Sequence, residues 1–374
     1  MSERPLPSVD DLRARQGAML ADLETLVSVE SPSTDVPSLV RCSEVVAAMG
    51  ERLLGTQPET VVVDGWPHLR WRFGTPRVLL LGHFDTVWPL GTVARWPFAL
   101  EDGIATGPGV FDMKAGIVAG FHAMAALGGS PDGVAILLTS DEETGSLHSQ
   151  ALIEAEARGL DAVLVLEPGL GPDLKVARKG VSMYEVTVHG RAAHAGLDPE
   201  KGVNALVELA HQVLAIERLA RPEAGTTVTP SVASAGTGTN VVPGAARVAV
   251  DVRVATADEQ HRVDAAIRSL PTVLAGARLE VEGGVNRLPL EEDHSRVLYA
   301  RAVEVARRLG LPAPGAARVG GASDGNFTAA IGVPTLDGLG AVGAGAHAEG
   351  EHVEVASLPE RAALVAGLVA DLLT

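Results

Sequence analysis

The sequence predicts an α/β protein, a mostly parallel-sheet domain that carries a smaller inserted α+β domain. Three observations support this. Short β-branched or leucine-rich runs recur, each followed by a polar or glycine-rich loop and then a helical pattern, the alternation that builds a parallel sheet covered by helices. From about residue 181 the texture changes to strands in which apolar and polar residues alternate, the pattern of half-buried strands. After Pro289 the helix-strand alternation returns. The expected boundaries are 1–180 for the first part of the main domain, 181–287 for the insertion and 288–374 for the second part.

Residues 77–82 (RVLLLG), 133–140 (GVAILLTS) and 161–166 (DAVLVL) read as buried strands, with helices over 114–127 and 146–158 between them. Functional groups of open α/β sheets gather beyond the carboxyl ends of the strands. Here those ends carry His83 and Asp85, then Asp141, Glu142 and Glu143, then Glu167. The insertion reads as an alternating strand (SMYEVTVHG), a helix from about 202 to 218, a glycine and threonine loop, a second strand (RVAVDVRVA) and a helix over 257–269. This β-α-β-β-α-like order is compact enough for a domain of its own. Beyond Pro289 follow a helix near 294–309, a short helix after Asp324, a strand at 333–336 and a final helix over about 357–373.

Composition removes several function classes. With 46% hydrophobic and 21% charged residues the chain can bury sizeable cores, yet no apolar run approaches the roughly 20 residues of a membrane helix. Lys and Arg number 30 against 47 Asp and Glu, a formal net charge of −17, the wrong sign for binding nucleic acid or an anionic membrane. Aromatic residues at 3% leave few stacking platforms for single strands. The one cysteine, Cys42, excludes an intramolecular disulfide and a cysteine-based zinc cluster and reads as a small core hydrophobe. The polar N-terminus, MSERPLPSVDDLRARQ, contains no apolar signal region, so a soluble, cytoplasmic protein is expected.

His83, Asp85, Asp112, Glu142, Glu143, Glu167 and His347 supply the nitrogen and oxygen donors that suit zinc. An Asp at a strand end is by itself as readily a cap or turn residue; only the set together points to metal. Two adjacent metals need a shared anionic bridge, which a carboxylate such as Asp112 at a helix start could supply. Lys175, Arg178 and Lys179 form a small basic cluster that could meet an acidic substrate group or be solvated. GLGAVG at 338–343 fits the GxGxxG fingerprint, but polar residues and His347 follow where a phosphate-binding helix would start, so it reads as a flexible ligand loop.

The segments GHFDTV (82–87), GPGVFDMKAG (107–116), TSDEETGS (139–146), LEPG (166–169), GRAAHAG (190–196) and GAHAEGEHV (345–353) run in this order across nearly the whole chain. In them the sequence resembles the M20 metallopeptidases. TNVVPG (239–244), NRLP (286–289) and RVGGASDGNF (318–327) make it most similar, within that family, to the glutamate carboxypeptidase (carboxypeptidase G) branch. The resemblance implies two Zn2+ per subunit, one held by His83 and Glu167, the other by Glu143 and His347, with Asp112 as the bridge. It implies that Asp85 orients His83 and that Glu142 is the general base. His194 would donate to the oxyanion from the inserted domain into the site of the other subunit, which requires a homodimer. Arg287 would bind the substrate α-carboxylate, with Asn240 and Arg253 as further contacts and Lys175 added from the basic cluster. Gly320 and Gly321 would permit close backbone approach to the substrate, or form a plain tight turn.

The activity implied is amide hydrolysis releasing a C-terminal amino acid, glutamate foremost, from a peptide or an N-acyl or folate-like conjugate. An N-acyl-amino-acid deacylase would need the same groups. A silent binding protein would have no use for a base such as Glu142, and a dinucleotide oxidoreductase would rest on GLGAVG alone.

Overall fold

A computed structural model describes residues 8–374. Residues 1–7, part of the N-terminus read as free of a secretion signal, lie outside the described residues. The chain divides into two compact units. The first runs to Ala177 and resumes over Leu290–Val319 and Ser323–Thr374, and the second comprises Arg178–Pro289 with Gly320–Ala322. Among the described residues no helix is long and apolar enough to cross a membrane.

In the first unit β1 (Glu59–Val63), β2 (Trp66–Phe73), β3 (Val78–His83), β4 (Val134–Thr139), β5 (Ala162–Val165) and the short strand Thr335–Leu336 form one sheet, in the order β1-β2-β4-β3-β5 and then Thr335–Leu336. The last four in that order are parallel, while β1 and β2 add an antiparallel edge. Every residue of β3, β4 and β5 is buried, which is why these strands read as unbroken apolar runs rather than alternating ones. Successive side chains still part to opposite faces. Leu80, Ile136 and Leu164 join a core with Leu23, Val46, Phe121 and Leu364, whereas Leu79, Leu81, Leu137 and Val163 pack with Ile153 and Phe327.

Helix Ala115–Ala126 lies so close to the end of β5 that a Cβ on Gly116 would come within 2.0 Å of the Leu166 carbonyl oxygen. Only glycine permits that approach, and it fixes the backbone leading into Glu167. The helix expected over 146–158 starts only at Gln150, because the Asp141 carboxylate accepts the amides of His148 and Ser149 and holds the preceding segment as a turn. The strand expected at 333–336 shortens to Thr335–Leu336. The Val333 amide instead donates back to Thr328, and Pro334 has no N–H for a ladder.

The second unit is an antiparallel sheet of β6 (Gly180–His189), β7 (Thr227–Ala235), β8 (Ala245–Val254) and β9 (Arg278–Arg287), ordered β7-β8-β6-β9. Its core joins Val186, Val188, Val248 and Val250 to Leu209 of helix Ala205–Glu217 and to Val263 and Ile267 of helix Ala257–Arg268. The glycine and threonine segment expected as a loop contains β7, an edge strand whose residues 231–235 are exposed. A strand with one neighbour and little buried surface leaves little apolar periodicity to read. β9, also beyond the sequence reading, is the other edge.

Candidate metal centre

The parallel register brings the carboxyl ends of β3, β4 and β5 side by side, with His83 opposite Thr139 and Leu81 opposite Val165. His83 ends β3 and is buried. Just beyond β4 a single turn, Glu142–Thr144, carries the two glutamates, and just beyond β5 comes Glu167. Asp112 comes from the turn before helix Ala115–Ala126, where its φ of −111° and ψ of 98° leave helical geometry. His347 lies on the loop after Gly343–Ala344 with a left-handed φ of 64°, a conformation that costs a non-glycine residue about 1 kcal/mol or more and gathers at functional sites.

These side chains converge. Asp112 turns one oxygen toward each imidazole: Oδ1 lies 3.4 Å from His83 Nε2 and Oδ2 lies 3.4 Å from His347 Nε2. His83 Nε2 is also 3.4 Å from Glu167 Oε1, and His347 Nε2 is 3.0 Å from Glu143 Oε2. One donor atom each from His83, Asp112 and Glu143 lie within 4.8 Å of one another. On its far side His83 Nδ1 faces Asp85, 3.1 Å from the backbone oxygen and 3.3 Å from Oδ1, which leaves Nε2 as the nitrogen presented to the acids. The buried Asp85 carboxylate also accepts from the amides of Glu142 and Glu143, at 3.3 and 3.2 Å, and from Ser33 Oγ at 2.6 Å. Asp85 therefore orients the imidazole and the glutamate turn together. Ser33 was missed in the sequence, where a serine 52 positions from its partner carries no signal.

The electrostatics fit a cation site. Burial opposes the charge on His83, but Asp112, Asp85 and Glu167 outweigh it and raise its pKa well above the ordinary imidazole value. Asp112 and Glu143 lift the His347 pKa to about 10. Burial pushes the Glu143 carboxyl up to about 7, with the hydrogen bond from His347 opposing it. Asp112 is partly buried, which opposes its charge, yet the two imidazoles hold its pKa well below the usual carboxylate range. Protons and divalent cations compete for such donors. Two atoms at the centre, His83 Nε2 and Asp112 Oδ1, are buried and lack hydrogen-bond geometry to any described residue. Two imidazoles and three carboxylates facing one another, with orphaned lone pairs among them, fit divalent metal ions of the zinc type.

The remaining candidates have defined places. In the first unit the Lys175 ammonium is 3.9 Å from Glu167 Oε2. In the second unit Arg287 ends β9 and is buried. Arg253 forks onto Asp251 through Nε and a terminal nitrogen, at 2.9 Å each, so any substrate carboxylate must compete with that pair. Arg178, from the basic cluster, is buried and donates to the carbonyls of Gly321 and Ala322. Asn240 accepts the Ala195 amide on its backbone oxygen. Exposed His194 accepts the amides of Gly196 and Leu197 on Nδ1, at 3.1 Å each, which fixes the tautomer that carries its proton on Nε2.

A mainly parallel sheet with histidine and carboxylate donors gathered at its carboxyl edge is an α/β scaffold with a candidate metal site. The chain belongs to peptidase family M20/M25/M40, whose profile matches residues 79–371, and is a metallopeptidase of that type. It is 31% identical over 376 residues to carboxypeptidase G2 of Pseudomonas sp. (strain RS-16), covering 96% of this chain and 90% of that one. It is 30% identical over 384 residues to the succinyl-diaminopimelate desuccinylase of Dechloromonas aromatica (strain RCB), covering 94% and 98%. The fold is similar to that of aminopeptidase PepT from Bacillus cereus ATCC 10987, with a TM-score of 0.76 at 23% identity over 96% of this chain and 99% of the other.

Proposed function

We propose that the protein is a dizinc hydrolase that cleaves an amide bond to release a C-terminal amino acid, glutamate foremost, from peptides or N-acyl or folate-like conjugates. The observation that carries this reading is the Asp112 carboxylate, whose two oxygens lie 3.4 Å from the His83 and His347 imidazoles respectively, so that one carboxylate could serve two metals. The similarity to carboxypeptidase G2 supports the substrate class.

His83, Asp112, Glu167, Glu143 and His347 would hold the two ions, which supply a water of lowered pKa and a polarised carbonyl. Glu142 takes the proton of the attacking water and returns it to the leaving nitrogen. Asp85 keeps the glutamate turn and the His83 ring in place for that transfer. His194, with its proton on Nε2, donates to the developing oxyanion, and it does so in the site of the other subunit of a homodimer. Arg287 grips the free α-carboxylate, assisted by Asn240, Arg253 and Lys175. Exposed apolar residues on helix Ala205–Glu217 (Leu206, Val207, Leu214) and Val232 on the edge strand β7 support a dimer formed through the second unit. A cytoplasmic location belongs to the same proposal, the single cysteine, Cys42, permitting a reducing compartment.

N-acyl-amino-acid deacylation is the second reading, favoured by the similarity to a succinyl-diaminopimelate desuccinylase. Zinc-loaded protein assayed against pteroyl-glutamate conjugates, dipeptides and N-acyl amino acids separates the two. Glutamate release at the highest kcat/KM, with α-amides of the same compounds poor substrates, is the expected result. Preference for N-succinyl or N-acetyl substrates, whatever the amino acid, would favour the second reading.

A further inference from the structure

We infer that Glu351 is a positioning residue of the metal centre: its carboxylate holds the turn that presents Asp112 and ties that turn to the loop that carries His347. The inference rests on the metal-centre reading above and adds a residue that supplies no donor to it. Glu351 is fully buried. Its Oε1 accepts the amides of Phe111 and Asp112 at 2.8 and 2.9 Å, and its Oε2 accepts the Gly109 amide at 3.0 Å and Trp88 Nε1 at 2.9 Å. Four donors fill the lone-pair sites of one carboxylate.

These contacts matter because of where the turn lies. Asp112 and Met113 depart from helical φ and ψ, so this stretch does not satisfy its amides as a regular helix would, and buried amides without an acceptor are costly. Glu351 supplies that acceptor. In sequence it lies four residues beyond His347, directly before strand His352–Glu354, which pairs with Ile104–Thr106 just upstream of the turn. Glu351 thus couples the backbone of the bridging Asp112 to the loop of the most exposed donor, His347. Displacement of Asp112 would be felt at both metal positions, since its two oxygens face the two imidazoles.

Glu351→Gln keeps the shape but replaces one oxygen by an NH2 group that must face N–H donors, forcing the turn apart. Glu351→Asp keeps the charge and withdraws it by one methylene. The test is zinc binding by the full chain, in competition with a chromophoric chelator, with circular dichroism and thermal unfolding recorded alongside. The expected result is a Glu351→Gln protein with a native spectrum and zinc affinity about tenfold to a hundredfold weaker, with Glu351→Asp between it and the parent. Activity of the glutamine variant should rise with added zinc while KM stays near the parent value. If the glutamine variant does not fold, the aspartate variant decides alone. Parent-like zinc affinity in the folded variants, whatever their melting temperature, would overturn the positioning role and leave the metal centre standing. Absence of tight zinc binding by the parent would overturn both.

Discussion

Glu142 and Glu143 are neighbours with different surroundings. The Glu143 carboxylate reaches His347 Nε2 at 3.0 Å, within a cluster that also contains His83 and Asp112, whereas Glu142 is the group proposed for proton transfer. Glu142→Gln should therefore retain its metal and lose about 10² to 10⁴ in turnover, the range of general acid-base contributions. Glu143→Gln should lose metal as well as activity. Metal analysis of both purified variants, alongside steady-state rates, checks this; the opposite pattern would interchange the two roles. The sequence was legible where chemistry and position coincide, as with His83 and Glu167 at the ends of apolar runs. Ser33 and Glu351 escaped it for a physical reason. Each acts through one buried hydrogen-bond set with residues 52 and about 240 positions away, and nothing local marks such a partner. Glu351 even falls inside a family segment, GAHAEGEHV, without its role being visible there.

Among the elements, helix Ala257–Arg268 ties its first turn to the rest of the second unit through Glu259. Thr256 caps the helix at the Glu259 amide. The Glu259 carboxylate takes a bidentate pair from Arg262 and single contacts from Thr226 and Arg221. The Arg262 hydrogen bonds lead in pulling its pKa from 4.5 down to about 2, against the opposing effect of burial. A depressed carboxylate stabilises the fold fully above its unfolded value and loses that contribution as pH falls through its folded value. Glu259→Gln should thus lower the melting temperature most above about pH 4.5, with the gap narrowing toward pH 2. Thermal unfolding of both proteins over that range checks the sign, and a gap that widened with acid would contradict it. The elements themselves were legible in proportion to burial. β3, β4 and β5, covered on both faces, stand out as apolar runs, while β7, with residues 231–235 exposed, carries Thr, Pro, Ser and Gly neighbours that mimic a loop. β1 and β2 form the antiparallel edge, where β1 is largely exposed, and no βα alternation announces them.

The proposed trans role of His194 makes activity depend on assembly. The protein should sediment as a dimer at micromolar concentration. His194→Ala should lower kcat by about 10² to 10³, as for loss of one oxyanion donor, and leave zinc content unchanged. A fully active monomer would contradict both the dimer and the trans donor. That the protein works through two metal ions is checked by elemental analysis of fully active, full-length protein. Two zinc ions per chain are expected, with activity lost in step with their removal by a chelator and restored by zinc. Full activity in a preparation holding at most trace metal would contradict it.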